Sequence, residues 1–152
     1  MIFNKDEPVI ETRLPILMEK LRSHGYRLTP QRLAILKILA DATTHPTVEQ
    51  IYAQVHADFP TTSLATVYKT VTLLKEEGEL LELSLGGRSN RYDGRNPLPH
   101  PHLICVHCGS ILDPDLTHFD ELPQEIGQKY GYQVISHRVD FFGICPQCRA
   151  PG

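Results

Sequence analysis

The sequence predicts an α+β fold in two parts. A helical part closed by a β-hairpin comes first, and a small α/β module built around four cysteines follows. Three observations predict it. Apolar residues recur at helical spacing in four stretches before residue 78. A short alternating run then turns at Gly86-Gly87. All four cysteines lie after residue 104, in two Cys-x-x-Cys pairs.

The first helix is expected over residues 14–24, with Leu14, Ile16, Leu17 and Leu21 on one face. A second follows Thr29, whose hydroxyl suits an N-cap, with Pro30 at the first helical position where its missing N–H costs nothing. Leu33, Ile35, Leu36 and Leu39 form its apolar stripe. Thr47-Val48-Glu49-Gln50 is a capping-box pattern that starts a third helix carrying Ile51, Tyr52 and Val55, stopped at Pro60. Ser63 caps a fourth helix that ends at Gly78. Leu64, Val67, Val71 and Leu74 are expected in its core face, and Thr66, Lys69, Thr70 and in part Tyr68 away from it. Leu80–Leu85 alternates, Gly86-Gly87 makes a tight turn, and Ser89–Tyr92 returns. Helices followed by a two-stranded hairpin describe a winged helix-turn-helix. Any small helical domain with a hairpin fits the same pattern.

Residues 94–101 read as a linker, because their three prolines oppose helix and favour extended chain. Beyond them the pattern gives a strand at His102–Cys105, a knuckle at Cys105–Gly109 and a strand toward Leu112. A helix near Gln124–Tyr130, a strand near Gln133–Phe142 and a second knuckle at Cys145–Cys148 complete the module. The expected division is residues 1–93, a hinge at 94–101, and residues 102–152.

Composition narrows the class. The chain has 152 residues, 41% hydrophobic and 22% charged, as in a folded soluble protein. No stretch approaches the roughly 18 apolar residues that span a bilayer. The opening run MIFNKDEPVIETR has no apolar core, so no standard secretion signal is expected and the expected location is cytoplasmic. Net charge is −3. Residues 1–92 balance 11 basic against 11 acidic residues, and residues 93–152 hold 4 against 7. Nucleic-acid binding must therefore rest on local pattern and not on bulk charge.

The cysteines carry the strongest chemical signal. Two residues between the cysteines of a pair let both sulfurs turn toward one ion, and two pairs complete the tetrahedron of structural zinc. The 36 residues between Cys108 and Cys145 exceed the usual zinc-ribbon spacing, so the intervening helix and strand must bring the pairs together. A redox Cys-x-x-Cys is the rival, but it needs one pair only. The second signal is His100-Pro101-His102, with Asp93 upstream and Asp113 downstream. In extended chain, residues i and i+2 face one side, so both imidazoles can meet one ion. Imidazole and carboxylate together suit Fe(II), Mn(II) or Zn(II). A solvated pair of linker histidines is the alternative.

Thr29-Pro30-Gln31-Arg32, His45-Pro46-Thr47, Ile51-Tyr52 and Ala65-Thr66-Val67-Tyr68 resemble the DNA-binding half of the ferric uptake regulator (Fur) superfamily. Arg91-Tyr92-Asp93, His100-Pro101-His102-Leu103-Ile104-Cys105, Cys108-Gly109 and the terminal Cys-x-x-Cys resemble its hinge and dimerisation half. The resemblance covers roughly residues 20–150. It implies an N-terminal winged helix-turn-helix domain, a small α/β dimerisation domain with a four-cysteine zinc site, and a metal-activated repressor. The implied structural zinc ligands are Cys105, Cys108, Cys145 and Cys148. The implied regulatory ligands, for Fe(II) or Mn(II), are His45, Asp93, His100, His102 and Asp113.

Asp at position 113, where iron-sensing members usually carry Glu, makes the chain most similar to the peroxide-responsive repressor (PerR) branch. In that branch bound iron reacts with hydrogen peroxide and oxidises a ligand histidine, for which His45 and His100 are the candidates. Loss of the metal then releases the DNA of oxidative-stress genes. The alternative within the family is an iron-availability sensor repressing iron-acquisition genes. Zinc-sensing members usually bring a thiol or extra histidines to the sensory site, and all four cysteines here are already committed. Pro101 between the hinge histidines weakens a third metal site, to which His137 and Glu121 could still contribute. The resemblance further implies a homodimer reading an A/T-rich inverted repeat in double-stranded DNA. Tyr68 and Lys69 would read the groove from the fourth helix, and Arg27 and Arg32 would touch backbone or minor groove. A metal-dependent hydrolase is the remote alternative from another class. Against it, no general-base motif such as His-Glu-x-x-His is present, so no enzyme is expected.

Overall fold

The computed structural model describes residues 9–150 of the protein. The chain divides into two units, one ending at Pro97 and the other beginning at Leu98. The first unit holds α1 (Val9–Ser23), α2 (Pro30–Asp41), α3 (Val48–Asp58), α4 (Leu64–Glu76), β1 (Leu81–Leu83) and β2 (Arg91–Asp93). The hydroxyls of Thr29, Thr47 and Ser63 accept the N–H groups of Arg32, Gln50 and Thr66, so each cap satisfies a helical donor that would otherwise have no partner. At α3 the Gln50 side chain also accepts the Thr47 N–H at 2.9 Å, closing a full capping box. The α4 helix ends at Glu76 with Glu77 as its C-cap, and Gly78 follows with φ of +74°, a conformation that glycine adopts without side-chain strain.

Leu17, Leu21, Ile35, Leu36, Leu39, Ile51, Val55, Val67, Val71 and Leu74 from all four helices form the core, joined by Leu80 and Tyr92 from the hairpin segment. Four expectations need correction here. The first helix starts at Val9, not Leu14, and its buried stripe runs Arg13, Leu17, Leu21 at i, i+4 and i+8. Leu64 is 39% exposed because it sits at the first helical position, beyond the edge of the core. Thr70 is buried instead, and its hydroxyl donates to the Thr66 carbonyl at 2.8 Å, which makes burial tolerable. The hairpin is antiparallel, with Leu81 opposite Asp93 and Leu83 opposite Arg91. Its ladder stops there, so residues 84–90 form a seven-residue loop and not a two-residue turn.

Arg13 is the one buried cation among the described residues of α1. Its Nε donates to the Gly94 carbonyl at 2.9 Å, Nη1 to Glu79 Oε2 at 2.9 Å and Nη2 to the Glu79 carbonyl at 3.0 Å. That set of partners compensates the cost of burying the charge and ties α1 to the chain just beyond β2.

The second unit holds β3 (His102–Cys105), β4 (Ile111–Leu112), a 3₁₀ turn (Phe119–Glu121), α5 (Leu122–Tyr130), β5 (Asp140–Gly143) and α6 (Pro146–Arg149). Its sheet order is β4-β3-β5, with β4 antiparallel and β5 parallel to β3. The expected strand at residues 133–142 pairs only from Asp140 onward. All four residues of β3 are already matched, His102 with Asp140 through Cys105 with Gly143, so the earlier residues have no rungs left there.

Gly94 is packed against the core. A Cβ added there would lie 2.7 Å from Leu80 Cδ2 and 2.8 Å from the Leu39 carbonyl oxygen. The Gly94→Ala protein is expected to lose about 1–3 kcal/mol of stability through this overpacking, seen as a lowered melting temperature. An unchanged melting temperature would mean that the neighbouring backbone yields freely.

Candidate metal centres and nucleic-acid interface

His45 lies in the loop between α2 and α3 with φ of +55°, a left-handed backbone uncommon for a residue with a side chain. Asp93 ends β2 in the same unit. His45 Nε2 and Asp93 Oδ2 are 3.2 Å apart, and both side chains are 2% exposed. The other carboxylate oxygen of Asp93 accepts the N–H groups of Arg95 and Asn96, each at 3.0 Å, which aims Oδ2 toward His45.

In the second unit His100 and His102 stand with ring centroids 4.4 Å apart. Asp113 follows β4, with Oδ2 3.4 Å from His100 Nε2 and Oδ1 3.7 Å from His102 Nε2. On both rings Nδ1 faces an oxygen acceptor, the Leu98 carbonyl at 2.6 Å for His100 and Asp140 Oδ1 at 3.3 Å for His102. The ring proton belongs on Nδ1, and the lone pair of Nε2 points toward the carboxylate. Asp140 is itself held by Arg138 Nε at 2.6 Å. Two ligands bound to one ion at about 2.1 Å sit about 3 Å apart at a right angle and further at wider angles. The separations of 3.2–3.7 Å therefore fit shared coordination within each pair. The donors are nitrogen and oxygen only, which suits Fe(II), Mn(II) or Zn(II).

The sequence reading missed Arg91, Arg13, Asp140 and Arg138, which hold the ligand-bearing segments. The only available signals were the Arg-x-Asp spacing at 138–140 and the basic residue two places before Asp93. His137 packs its ring 5.3 Å from Phe119, and Glu121 faces His118 at 3.1 Å.

The four cysteine sulfurs lie within 4.8 Å of one another. Cys108 Sγ and Cys145 Sγ are 3.8 Å apart, the edge of a tetrahedron whose centre is about 2.3 Å from each sulfur. The N–H groups of Cys108 and Cys145 donate to Cys105 and pull its thiol down to about 5. The Ser110 hydroxyl likewise lowers Cys108. Cys148 is pushed up to about 12, chiefly because its thiol bonds to Cys145. Four thiolates so close together need a cation in place of the protons.

On α4, Tyr68 is 45% exposed, so it is not a core aromatic, and Lys69 beside it is exposed too. The Tyr68 hydroxyl donates to Glu49 Oε1 at 3.3 Å, and the nearby carboxylate raises its pKa. Arg27 is exposed. Arg32 donates to the Arg27 carbonyl at 2.8 Å and lies 5.2 Å over the Tyr26 ring.

The sequence pattern of the ferric uptake regulator family matches residues 23–142. The chain is 39% identical over 140 residues to the peroxide-responsive repressor PerR of Staphylococcus saprophyticus, covering 92% of this chain and 94% of that one. The fold is similar to that of the Helicobacter pylori ferric uptake regulator, described as having three functional metal binding sites. The TM-score is 0.81 at 26% identity, over 95% and 96% of the two chains. The Campylobacter jejuni peroxide stress regulator is similar with a TM-score of 0.68 at 32% identity, over 87% of this chain and 98% of that one.

Purified protein is expected to carry one tightly held zinc per chain, and Cys148→Ser to lose it together with the folded second unit. Such a site supplies on the order of 10 kcal/mol of folding free energy. Metal analysis and thermal melting read this directly, and a zinc-free protein with an unchanged melting curve would reject it.

Proposed function

From the premise that the chain belongs to the ferric uptake regulator family, we propose that it is a metal-dependent, DNA-binding transcriptional repressor that senses hydrogen peroxide. In this reading it is a cytoplasmic homodimer, not an enzyme, and it controls oxidative-stress genes. Residues 1–93 bind DNA, residues 102–152 dimerise and hold zinc on Cys105, Cys108, Cys145 and Cys148, and the hinge joins them. His45 and Asp93 bind the regulatory ion from the first unit, and His100, His102 and Asp113 bind it from the second. No helix among the described residues is long and apolar enough to cross a membrane.

The observation that carries the peroxide reading is Asp113, a carboxylate one methylene shorter than Glu, standing beside both hinge histidines in an all nitrogen and oxygen donor set. His45, Asp93, His100, His102 and Asp113 are the residues that would hold the ion. Iron(II) held there would catalyse transfer of one oxygen from hydrogen peroxide to an imidazole carbon, the ring being oxidised by two electrons and the second peroxide oxygen leaving as water, whereas manganese(II) would not. His45 and His100 are the imidazoles that take the oxygen. An oxidised ring is a poorer base, so the ligand set weakens and the arrangement that binds DNA is no longer favoured.

Homodimer formation is supported by the second unit's surface, where Leu112, Tyr132, Ile135 and Phe142 are each at least 60% exposed. A dimer presents two α4 helices, which suits an inverted repeat, A/T-rich in this reading. Tyr68 and Lys69 read the major groove, with Arg27 and Arg32 on the backbone or in the minor groove. The second reading, an iron-availability sensor, draws on the likeness to the Helicobacter pylori regulator.

Mass spectrometry after peroxide treatment separates the two. Fe(II)-loaded protein is expected to gain one oxygen on the peptide bearing His45 or His100 and to leave its DNA, while Mn(II)-loaded protein does neither. Asp113→Glu should blunt the oxidation and keep metal-dependent DNA binding. Fe(II) protein that survives peroxide unoxidised and DNA-bound would select the iron-availability reading.

DNA binding itself is expected to need the regulatory metal. Removing the Lys69 amine should weaken binding and lower the salt slope by about one if the contact is to phosphate. Tyr68→Ala should relax sequence preference. Equal DNA affinity with and without the regulatory metal would reject activation by metal.

A further inference from the structure

Three consecutive carbonyls around His45 are each held by β2. Arg91 Nη2 donates to the Thr44 carbonyl, Arg91 Nε to the His45 carbonyl, and the Tyr92 N–H to the Pro46 carbonyl at 3.0 Å. The strand that supplies these donors ends one residue later in Asp93, which lies 3.2 Å from the His45 ring. His45 meanwhile keeps a left-handed backbone, which a residue with a side chain holds only when its surroundings over-determine it. It also precedes a proline, which further restricts its backbone. A guanidinium fork can span two carbonyls one residue apart, whereas a lysine ammonium is a point donor on a flexible stem.

We propose that Arg91 is a positioning residue for the regulatory-metal ligand His45, its two-carbonyl grip holding the imidazole opposite Asp93 before any ion arrives. This rests on the metal-site reading of His45 and Asp93 given above. Arg91 touches no ion and acts only through the backbone of the loop. Its charge works against its role, since a cation beside a cation site repels the incoming metal. Charge alone predicts that removing Arg91 tightens metal binding, and positioning predicts the reverse. The sign of the effect therefore distinguishes them.

The test uses full-length, zinc-containing protein titrated with Mn(II), with free Mn(II) read by electron paramagnetic resonance and melting curves taken with and without Mn(II). Arg91→Gln is expected to raise the Mn(II) dissociation constant roughly ten- to a hundredfold, the range for losing a residue that orients a metal ligand. It should also shrink the melting-temperature rise that Mn(II) gives. Arg91→Lys is expected to weaken binding too, although the charge is kept, and it decides the matter if Arg91→Gln does not fold. Arg88→Gln, in the hairpin loop that leads into β2, should stay within twofold of the parent. A Mn(II) constant within twofold of the parent in both Arg91 variants, or tighter, would overturn the proposal, as would an equal loss in Arg88→Gln. A lowered melting temperature with an unmoved Mn(II) constant would make Arg91 merely structural and overturn it as well. A parent protein that takes up no Mn(II) beyond its zinc would overturn the metal-site reading itself, and this inference with it.

Discussion

The stitch between β2 and the loop at residues 44–46 is the constraint on which the first unit's arrangement depends. The loop follows α2 directly and leads through Thr47, the cap of α3, into the helix-turn-helix pair. Loop carbonyls cannot pair within a helix, so they must find donors elsewhere or face water. Here they find three donors in a row on one strand. The same strand puts Tyr92 into the helical core and presents Asp93 beside His45. Alternation in an extended chain separates these duties by face. From His45 to the start of α3 is two residues, so any force on the ligand reaches the helix-turn-helix through a short, hydrogen-bonded path.

The second unit is built on a different principle. Its buried apolar residues among those described are few, namely Ile104, Ile111 and Phe119 with Cys105, while many of its large apolar side chains face outward. A segment of this size cannot fold on such a core alone. The converging thiols would supply what the core lacks if they hold a cation, because such an ion closes the loop between distant knuckles and contributes to folding only when the pairs meet. β3 and β5 carry one knuckle each near their ends, and their parallel pairing brings Cys105 opposite Gly143, next to Cys145. Sheet register thus brings the two cysteine pairs together.

How much of this the sequence could reveal follows from the range of each interaction. Caps act within four residues, so Thr29, Thr47 and Ser63 were legible as helix starts. The cysteine spacing was legible for a similar reason, since each pair is local and only the meeting of pairs is not. Burial depends on what lies across the fold. Arg13 occupies a core stripe because Glu79 and the Gly94 carbonyl wait opposite it, and nothing near Arg13 in the chain signals them. Leu64 is exposed because the first turn of α4 overhangs the core, while Thr70, farther along the helix, is buried, and such placement is not expressed in periodicity. The start of β5 escapes a reading of the sequence because a strand is only as long as its partner allows. For the metal-ligating residues the sequence offers types but no supports. Arg91 acts on carbonyls, which every residue has, so its partners leave no mark in the residue pattern.

A bound ion biases a conformational equilibrium only by the difference in its affinity for the two states. If both His45 and Asp93 had to be ordered on binding, much of the ion's binding free energy would go into that ordering in either state, and less would remain as a difference. A half-site already ordered within its own unit removes that cost. The carbonyl grip on His45, the two N–H groups on Asp93, and the acceptors at Nδ1 of His100 and His102 all act in this direction. Within each unit the donors are therefore ordered in advance, and in the proposed reading an ion bound by both sets would spend little of its binding free energy on ordering them. In that reading the loss of a single imidazole's basicity would be enough to weaken the bias.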